Sequence, residues 1–453
     1  MQARLRAAAP TPQATRAANP ARGRAQPMIP LERERSLDEA ERAMRDFLDA
    51  QGWRAELERV GAPFAATICS LYDQADGRLL GNGFGKGEAD PSRVGALFEA
   101  VEHLFTGKAP AHAVLSLRSG ADCLADPLLA QLPVRAAFAQ QPDRRLACRR
   151  YRAFAAGEPD AVLPLFLSYP TYLDWRAPQD DFDYASALRF GSNNGTAIGS
   201  SLAEAAVHAI GELIERDAWS LFLVGHFLGD PAAHGYLLPA QELPPALARR
   251  LGEAEAQLQR EIVLIDATSD LGVPCIIATA SDLRDGESIH PCGYGASLYP
   301  EHAAMRAITE LVQALELPQL QPRLAGYSQA VLNALSAYPK LRDCAVFAID
   351  RTRLRRRRWD FQAPAPLPPT ALLELLTARL RARGIDLHYA INHHEPGHFC
   401  VINVVSLALE RFFLVCSGIV MAPGQRGRDL LAGRLPVPGS AAVLDREAGL
   451  MPA

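Results

Sequence analysis

Along residues 204–216 the chain reads EAAVHAIGELIER, and its apolar positions Val207, Ile210, Leu213 and Ile214 recur at helical spacing. That spacing predicts a helix packed on a core. On the same helix the carboxylates of Glu204, Glu212 and Glu215 fall within a sector of about 80°, with His208 among them and Arg216 beside Glu215 in sequence. The pattern recurs in GKGEADPSRVGALFEAVEH, residues 85–103, where Glu99 and Glu102 sit inside another apolar helix. A spacing of three puts the two side chains of each Glu-x-x-Glu pair on one helix face. A third helix, EHAAMRAITELVQALEL, aligns Arg306, Glu310 and Gln313 at spacings of four and three. The glycine-containing stretches GFGKG and SNNGTAIGSS precede the two glutamate helices and are expected to be turns.

Elsewhere strands and helices alternate. SLDEAERAMRDFLDAQGW predicts a helix capped by Ser36, with Glu39 completing a capping box. PFAATICSLYD reads as a strand ending in the turn QADGR, and REIVLIDATSD and VPCIIATASD as adjacent strands. DCAVFAID is expected to be a strand, ALLELLTARLRARG a helix after the Pro-rich spacer APAPLPPT, and HFCVINVVSLA a last long strand. The sum is an α/β (α+β) chain.

Composition narrows the function classes. The formal net charge of -4 on 453 residues argues against a dedicated nucleic-acid binder. The basic run RTRLRRRRWD, residues 351–360, is accordingly read as a solvated loop. Eight cysteines include no CxxC pair, which argues against a zinc cluster. Their apolar settings suggest reduced thiols and a cytoplasmic compartment. No apolar run approaches the ~18 residues of a membrane helix. Residues 1–35 are rich in Ala, Arg and Pro and lack an apolar signal-peptide core, so a disordered tail is expected there.

A buried helix face with paired glutamates is costly unless the charges are compensated. Basic residues inside these helices are few, and Arg216 alone cannot neutralise five glutamates. A di-iron site calls for Glu-x-x-His on two helices. Here His103 follows Glu102 directly and His208 lies four before Glu212. Mg²⁺ takes carboxylate oxygens and completes its shell with water and phosphate, so Mg²⁺ and a nucleotide are favoured, with Arg216 and Lys86 as phosphate partners. Neither glycine-rich stretch fits GxxxxGK[ST], which excludes a P-loop.

In order, spacing and embedding, GKG…EAVEH, SNNGTAIGSSLAEAAVHAIGELIERDA and GYGASLYPEHAAMRAITELVQ resemble the YcaO family over residues 80–430. The resemblance implies a YcaO-type fold of mixed sheets flanked by helices, with ATP and Mg²⁺ held on the glutamate helices. It implies activation of a peptide backbone amide: a nucleophile adds to the carbonyl, the oxyanion takes the γ-phosphoryl of ATP, and phosphate leaves. An internal Cys, Ser or Thr then yields an azoline, external sulfide a thioamide, an amine an amidine. By the same resemblance Glu99 and Glu102 are one pair of Mg²⁺ ligands and Glu212 and Glu215 the other. Glu212, Glu215 and Arg216 are the catalytic set, while Lys86, Ser200, Glu204, Arg216, Glu310 and Gln313 are the ATP-contacting candidates. Lys86 reads equally as a solvated lysine, and His208 as a hydrogen-bonded neighbour. The domain plan is a tail (1–35), an N-terminal helix and strand (36–79), the catalytic domain (80–430) and a C-terminal tail (431–453).

Some positions depart from the family. His103 stands where arginine is commoner, and Ala314 follows Gln313 where many relatives continue with Ser-Arg. The ending DREAGLMPA lacks the Pro-x-Pro-x-Pro of many azoline-forming members, and LPVPG at 435–439 is not terminal. MAPGQRGRDLL instead resembles members that work with a TfuA-type partner, some of which make thioamides. Azoline formation is the first expectation and thioamide formation the second. A non-catalytic scaffold that docks a precursor peptide is the reading of another class, and the complete glutamate set argues against it. Expected partners are a precursor peptide, a leader-peptide-binding or TfuA-type protein and a second copy in a homodimer; nucleic acid and membrane are not expected.

Overall fold

Ser36 opens the first helix as its sequence predicts. Its hydroxyl accepts from the Glu39 N–H at 3.4 Å, and the Glu39 carboxylate accepts from the Ser36 N–H at 3.0 Å, closing the capping box of α1 (Leu37–Gln51). This computed structural model describes residues 28–107, 115–130, 132–155, 157–230, 234–280, 289–321 and 325–435. Residues 1–27 of the expected tail and the C-terminal segment 436–453, with LPVPG beyond Leu435 and DREAGLMPA, lie outside the described residues. The tail boundary at residue 35 is corrected. Glu34 N–H donates to Glu204 at 3.0 Å and the Ser201 hydroxyl donates to Glu34 at 2.7 Å, so folded chain begins before Ser36.

Strands β1 (Trp53–Val60), β2 (Ala65–Asp73) and β3 (Leu79–Gly87) form an antiparallel meander, and α2 (Ala89–Gly107) lies on β3. GFGKG, expected as a turn, is the end of β3. A Cβ on Gly83 would stand 2.1 Å from Ala100 N, and one on Gly85 1.7 Å from Ser92 O. These glycines let strand and helix backbones touch, which is a use of glycine distinct from a turn. SNNGTAIGSS is part turn and part strand: Asn194 and Gly195 turn, Thr196–Gly199 form β7, and Ser201 caps the helix that follows.

Between them run β4 (Leu115–Ser119), α3 (Gly120–Ala125), α4 (Arg135–Gln140), β5 (Arg145–Ala153) and β6 (Ala161–Pro164). Then come α5 (Leu202–Leu223), β8 (Tyr236–Leu238), α6 (Pro245–Leu258), β9 (Ile262–Asp266), β10 (Cys275–Ala280), β11 (Cys292–Ala296) and α7 (Pro300–Glu316). The chain continues through α8 (Ala325–Ala334), α9 (Pro339–Val346), β12 (Arg355–Arg356), α10 (Pro369–Arg381), β13 (His388–Glu395), β14 (Phe399–Val405) and α11 (Gln425–Leu431). The second sheet has the order β11-β10-β9-β8-β12, and β9 and β10 are adjacent as expected. The third has the order β4-β5-β13-β14-β7 with β6 on β5. Only β12 with β8 is parallel among the described pairs.

Two further expectations are corrected. Most of DCAVFAID is not strand: Asp343–Val346 end α9, and Phe347 at φ 57° turns the chain out of the helix. Short apolar runs do not separate strand from buried helix by periodicity, and Pro339 at the first helical turn decided it. The basic run is only partly solvated loop. Arg355 and Arg356 form the exposed edge strand β12, while Arg357 lies 2.7 Å from the buried Asp266.

Helix α5 is the keystone between the second and third sheets. One apolar cluster joins its Val207, Ile210 and Ile214 to Ala296 of β11, Ile402 of β14 and Leu376 of α10. Of its 22 residues 17 are buried, so its glutamates sit within the protein rather than on an outer face. The eight cysteines are all unpaired thiols. Among the described residues no helix is long and apolar enough to cross a membrane.

Candidate nucleotide and metal site

Helices α2, α5 and α7 and strand β3 bring their charged residues to one place. Glu102 accepts from Ile198 N–H of β7 at 3.0 Å. Burial pushes its carboxyl well above the usual carboxylate range, and the charges of Glu99 and Glu212 add to the push. Burial likewise raises Glu99 to about 7, against the pull of Lys86. The His103 Nδ1–H donates to Asn82 O at 2.7 Å, which leaves Nε2 3.7 Å from Glu99. Glu212 is raised by burial to about 7, with Arg216 opposing and Glu215 and Glu310 adding.

The cations are spread among the carboxylates. Arg216 lies 3.9 Å from Glu212 and 3.8 Å from Glu215. Its guanidinium stands 5.3, 5.6 and 5.7 Å from the ring centroids of Trp219, Tyr294 and Phe413, which hold it from the side. Arg306 lies 3.8 Å from Glu215, and Lys86 pairs with Glu310. Burial works against the Glu310 charge, but Lys86, Arg216 and Arg306 hold its carboxyl below the ordinary value. Beside them His208 is kept neutral by burial and by Arg306.

These contacts leave the site unfinished. Glu99, Glu102, Glu212, Glu215 and Glu310 face three cations, Lys86, Arg216 and Arg306. The arginine contacts of 3.8 and 3.9 Å are longer than hydrogen bonds. Among the described residues, Glu215 Oε2, Arg306 Nε and Gln313 Nε2 are buried without any hydrogen-bond partner. An orphaned carboxylate oxygen calls for a cation, and orphaned N–H donors call for an anion. Among the described residues no three His, Cys, Asp or Glu side chains converge on a metal position. An ion here therefore needs oxygen ligands from outside the chain, as Mg²⁺ takes from phosphate and water.

The sequence model of the YcaO family, described as a cyclodehydratase binding ATP and Mg²⁺, matches residues 82–408. The chain belongs to the YcaO family. ATP and Mg²⁺ are the cofactors of that family, and the surplus carboxylates and orphaned donors fit both. A YcaO protein of Methanopyrus kandleri, solved with AMPPCP and Mg²⁺, shares the fold at TM-score 0.62 and 18% identity, over 87% of this chain and 97% of that one. An uncharacterised protein from the tfuA 3′ region of Rhizobium leguminosarum bv. trifolii is 33% identical over 255 residues, covering 53% of this chain and 57% of the relative. An uncharacterised protein of Methanothermobacter thermautotrophicus is 37% identical over 128 residues, 28% of this chain and 32% of the relative. The chain thus spans only part of the length of the curated relatives it matches.

Within this YcaO chain the structure gathers Lys86, Glu99, Glu102, Glu212, Glu215, Arg216 and Glu310, with Gln313 one helical turn beyond Glu310. Glu204 stands apart. Eight residues along α5 separate it from Glu212 by about 12 Å, and its carboxylate is engaged by Glu34 N–H at 3.0 Å and Arg33 at 3.7 Å. Ser200 is half-buried at the corner between β7 and α5, and its role stays with the family resemblance. Sequence reasoning missed Arg306 as a site cation, His103 as the neighbour of Glu99, and the rings around Arg216. The spacing of four between Arg306 and Glu310 was the signal available for the first.

Proposed function

We propose that this YcaO chain is an ATP- and Mg²⁺-dependent enzyme that activates a backbone amide of a ribosomally made peptide, closing Cys, Ser or Thr residues into azolines. The observation that supports this reading is the half-buried, under-neutralised glutamate cluster around the buried Glu215, with its orphaned Glu215 Oε2 and Gln313 Nε2. ATP supplies the phosphoryl group that carries off the amide oxygen. Glu99 and Glu102 on α2 and Glu212 and Glu215 on α5 hold the Mg²⁺ positions. Arg216, Arg306, Lys86 and Gln313 orient the phosphates and spread the charge that develops on them. Glu310 keeps Lys86 aimed at the site. Ser200 and Glu204 complete the nucleotide contacts at the α5 N-terminus, Glu204 through its hold on Arg33 and Glu34. The enzyme works with a precursor peptide and a leader-binding or TfuA-type partner protein, in the cytoplasm, as a homodimer.

Thioamide formation is the second reading, favoured by MAPGQRGRDLL and by the relative encoded beside tfuA. Co-expression with the neighbouring precursor peptide and partner, followed by mass spectrometry, separates the readings. Azoline formation leaves the peptide lighter by one water per ring. Thioamide formation leaves it heavier by the difference between sulfur and oxygen, and requires sulfide. Either consumes ATP in step with modification. An unmodified peptide without ATP turnover, partner present, would favour the scaffold instead.

A further inference from the structure

A cavity of about 430 Å³, lined by none of the cluster glutamates, lies where β6, the 405–414 segment and the start of α11 meet. Its wall is aliphatic, with Leu128, Leu132, Leu163, Leu167, Leu407 and Leu414. Leu128 is 42% exposed, so the apolar wall reaches the surface. The size lies within the range of ligand pockets.

One charged group in this wall has no counterpart. Among the described residues, the Arg411 guanidinium makes only a hydrogen bond of 3.5 Å to Leu167 O and no ion pair. Burial alone draws its pKa down to about 10. The other charged groups of the lining are committed or exposed. Arg426 pairs with Asp217 and Asp270, and Arg383 donates to Asp270 O. Glu410 is used up by the N–H groups of Arg411, Gly424 and Gly427 at 3.1, 2.8 and 2.7 Å. Asp386 is exposed. Arg411 is half-buried, so its guanidinium is only partly withdrawn from water on this aliphatic wall, an anion there would gain from meeting it, and its planar fork suits a carboxylate.

We propose that this cavity is a peptide-recognition site, in which Arg411 takes the side-chain carboxylate of an acidic residue and the leucine wall takes its apolar neighbours. The proposal rests on the peptide-modifying reading and adds to it which substrates are chosen. The site is tied to the reaction centre through its own segment. Glu410 N–H donates to Asp217 on α5 at 2.8 Å, and Phe413 lies beside Arg216.

The test uses the full chain and two blocked peptides, Ala-Leu-Glu-Leu-Ala and Ala-Leu-Gln-Leu-Ala, with hexanoate as a third probe, titrated by calorimetry. The Glu peptide should bind at least about tenfold more tightly than the Gln peptide, and Arg411→Met should abolish that preference. Equal affinity for the two peptides, no binding, or an unchanged preference in Arg411→Met would overturn the proposal. Hexanoate binding as tightly as the Glu peptide would also overturn it, as a site for free carboxylates. Should the variant fail to fold, the two peptides on the natural chain still decide. A Mg²⁺-ATP titration on the same sample separates failures: lost nucleotide binding with the peptide preference intact sinks the enzymatic reading, and the reverse sinks only this one.

Discussion

Opposite sides of one turn of α5 treat buried carboxylates in opposite ways. Asp217 is wholly buried, yet both its oxygens are met: Arg426 donates at 2.7 and 2.9 Å and Glu410 N–H at 2.8 Å. Arg426 also reaches Asp270 at 2.6 Å. Burial opposes the Arg426 charge, and the two aspartates outweigh it and hold its pKa above the ordinary arginine value. Two residues earlier Glu215 is also buried, but its nearest cations stand at 3.8 Å and its Oε2 accepts no hydrogen bond among the described residues. Burial is therefore no mark of a site by itself. Burial with unmet geometry is, because the missing partners must come from a ligand.

The comparison breaks most easily at its closed end. Arg426→Met leaves two carboxylates buried with their main cation gone. Removing one partner of a buried pair costs about 3–5 kcal/mol, read as a fall in the urea midpoint with an unchanged slope. A midpoint close to that of the natural chain would mean that Asp217 is no more anchored than Glu215.

The open end should answer in the other sense. Glu212→Gln and Glu215→Gln each keep the volume and remove one of several crowded negative charges. ATP turnover should fall about 100-fold or more, as when a transition-state contact is lost. The thermal midpoint of the apo protein should hold or rise. A collapsed midpoint would class these glutamates with Asp217, as structural ion-pair partners.

What the sequence showed of this contrast was its local part. The α1 capping box, the adjacent strands β9 and β10 and both Glu-x-x-Glu helices rest on signals within a few residues, and all are present. The glycines of GFGKG were misassigned because spacing alone does not tell a turn from a close backbone approach, and only the packed α2 shows which. The long-range pairs were out of reach for another reason. Lys86 and Glu310 are 224 residues apart, and Asp217 and Arg426 are 209 apart, so nothing in either neighbourhood announces the other. The sequence places Arg306 on the helix face of Glu310, but its approach to Glu215 belongs to the tertiary fold.

Acidity gives a third, smaller handle. Glu99 and Glu212 titrate near 7 in the folded apo protein, above the unfolded chain. Between the usual glutamate range and pH 7 the folded state holds protons that the unfolded state has released. Apo stability therefore falls as pH rises through that window, by at most about 1.4 kcal/mol per unit for Glu212 and by less for Glu99, whose side chain is 36% exposed and screened by water. Mg²⁺-ATP competes with those protons, so its affinity should weaken as pH drops below 7. Differential scanning calorimetry at pH 5.5 and 7.5, with and without Mg²⁺-ATP, should show opposite trends. Parallel trends would mean that the glutamates are not what the nucleotide and its metal engage.

Lys86 and Glu310 lie between the two extremes, a direct ion pair inside the open cluster with side chains 25% and 22% exposed. Partial exposure limits what such a pair contributes to folding, so Lys86→Met should cost no more than about 1 kcal/mol. Its larger effect should be on ligand affinity. With Lys86 gone, Glu310 becomes a further unmet negative charge beside the phosphates. Mg²⁺-ATP should bind about tenfold more weakly, as expected for one lost charge-assisted contact. The double variant with Glu310→Gln should recover part of that loss, because it removes the stranded charge along with its partner. No recovery would mean that Lys86 acts through its nucleotide contact alone and not by neutralising Glu310, and a stability loss as large as that of Arg426→Met would place the pair with the closed, structural charges instead.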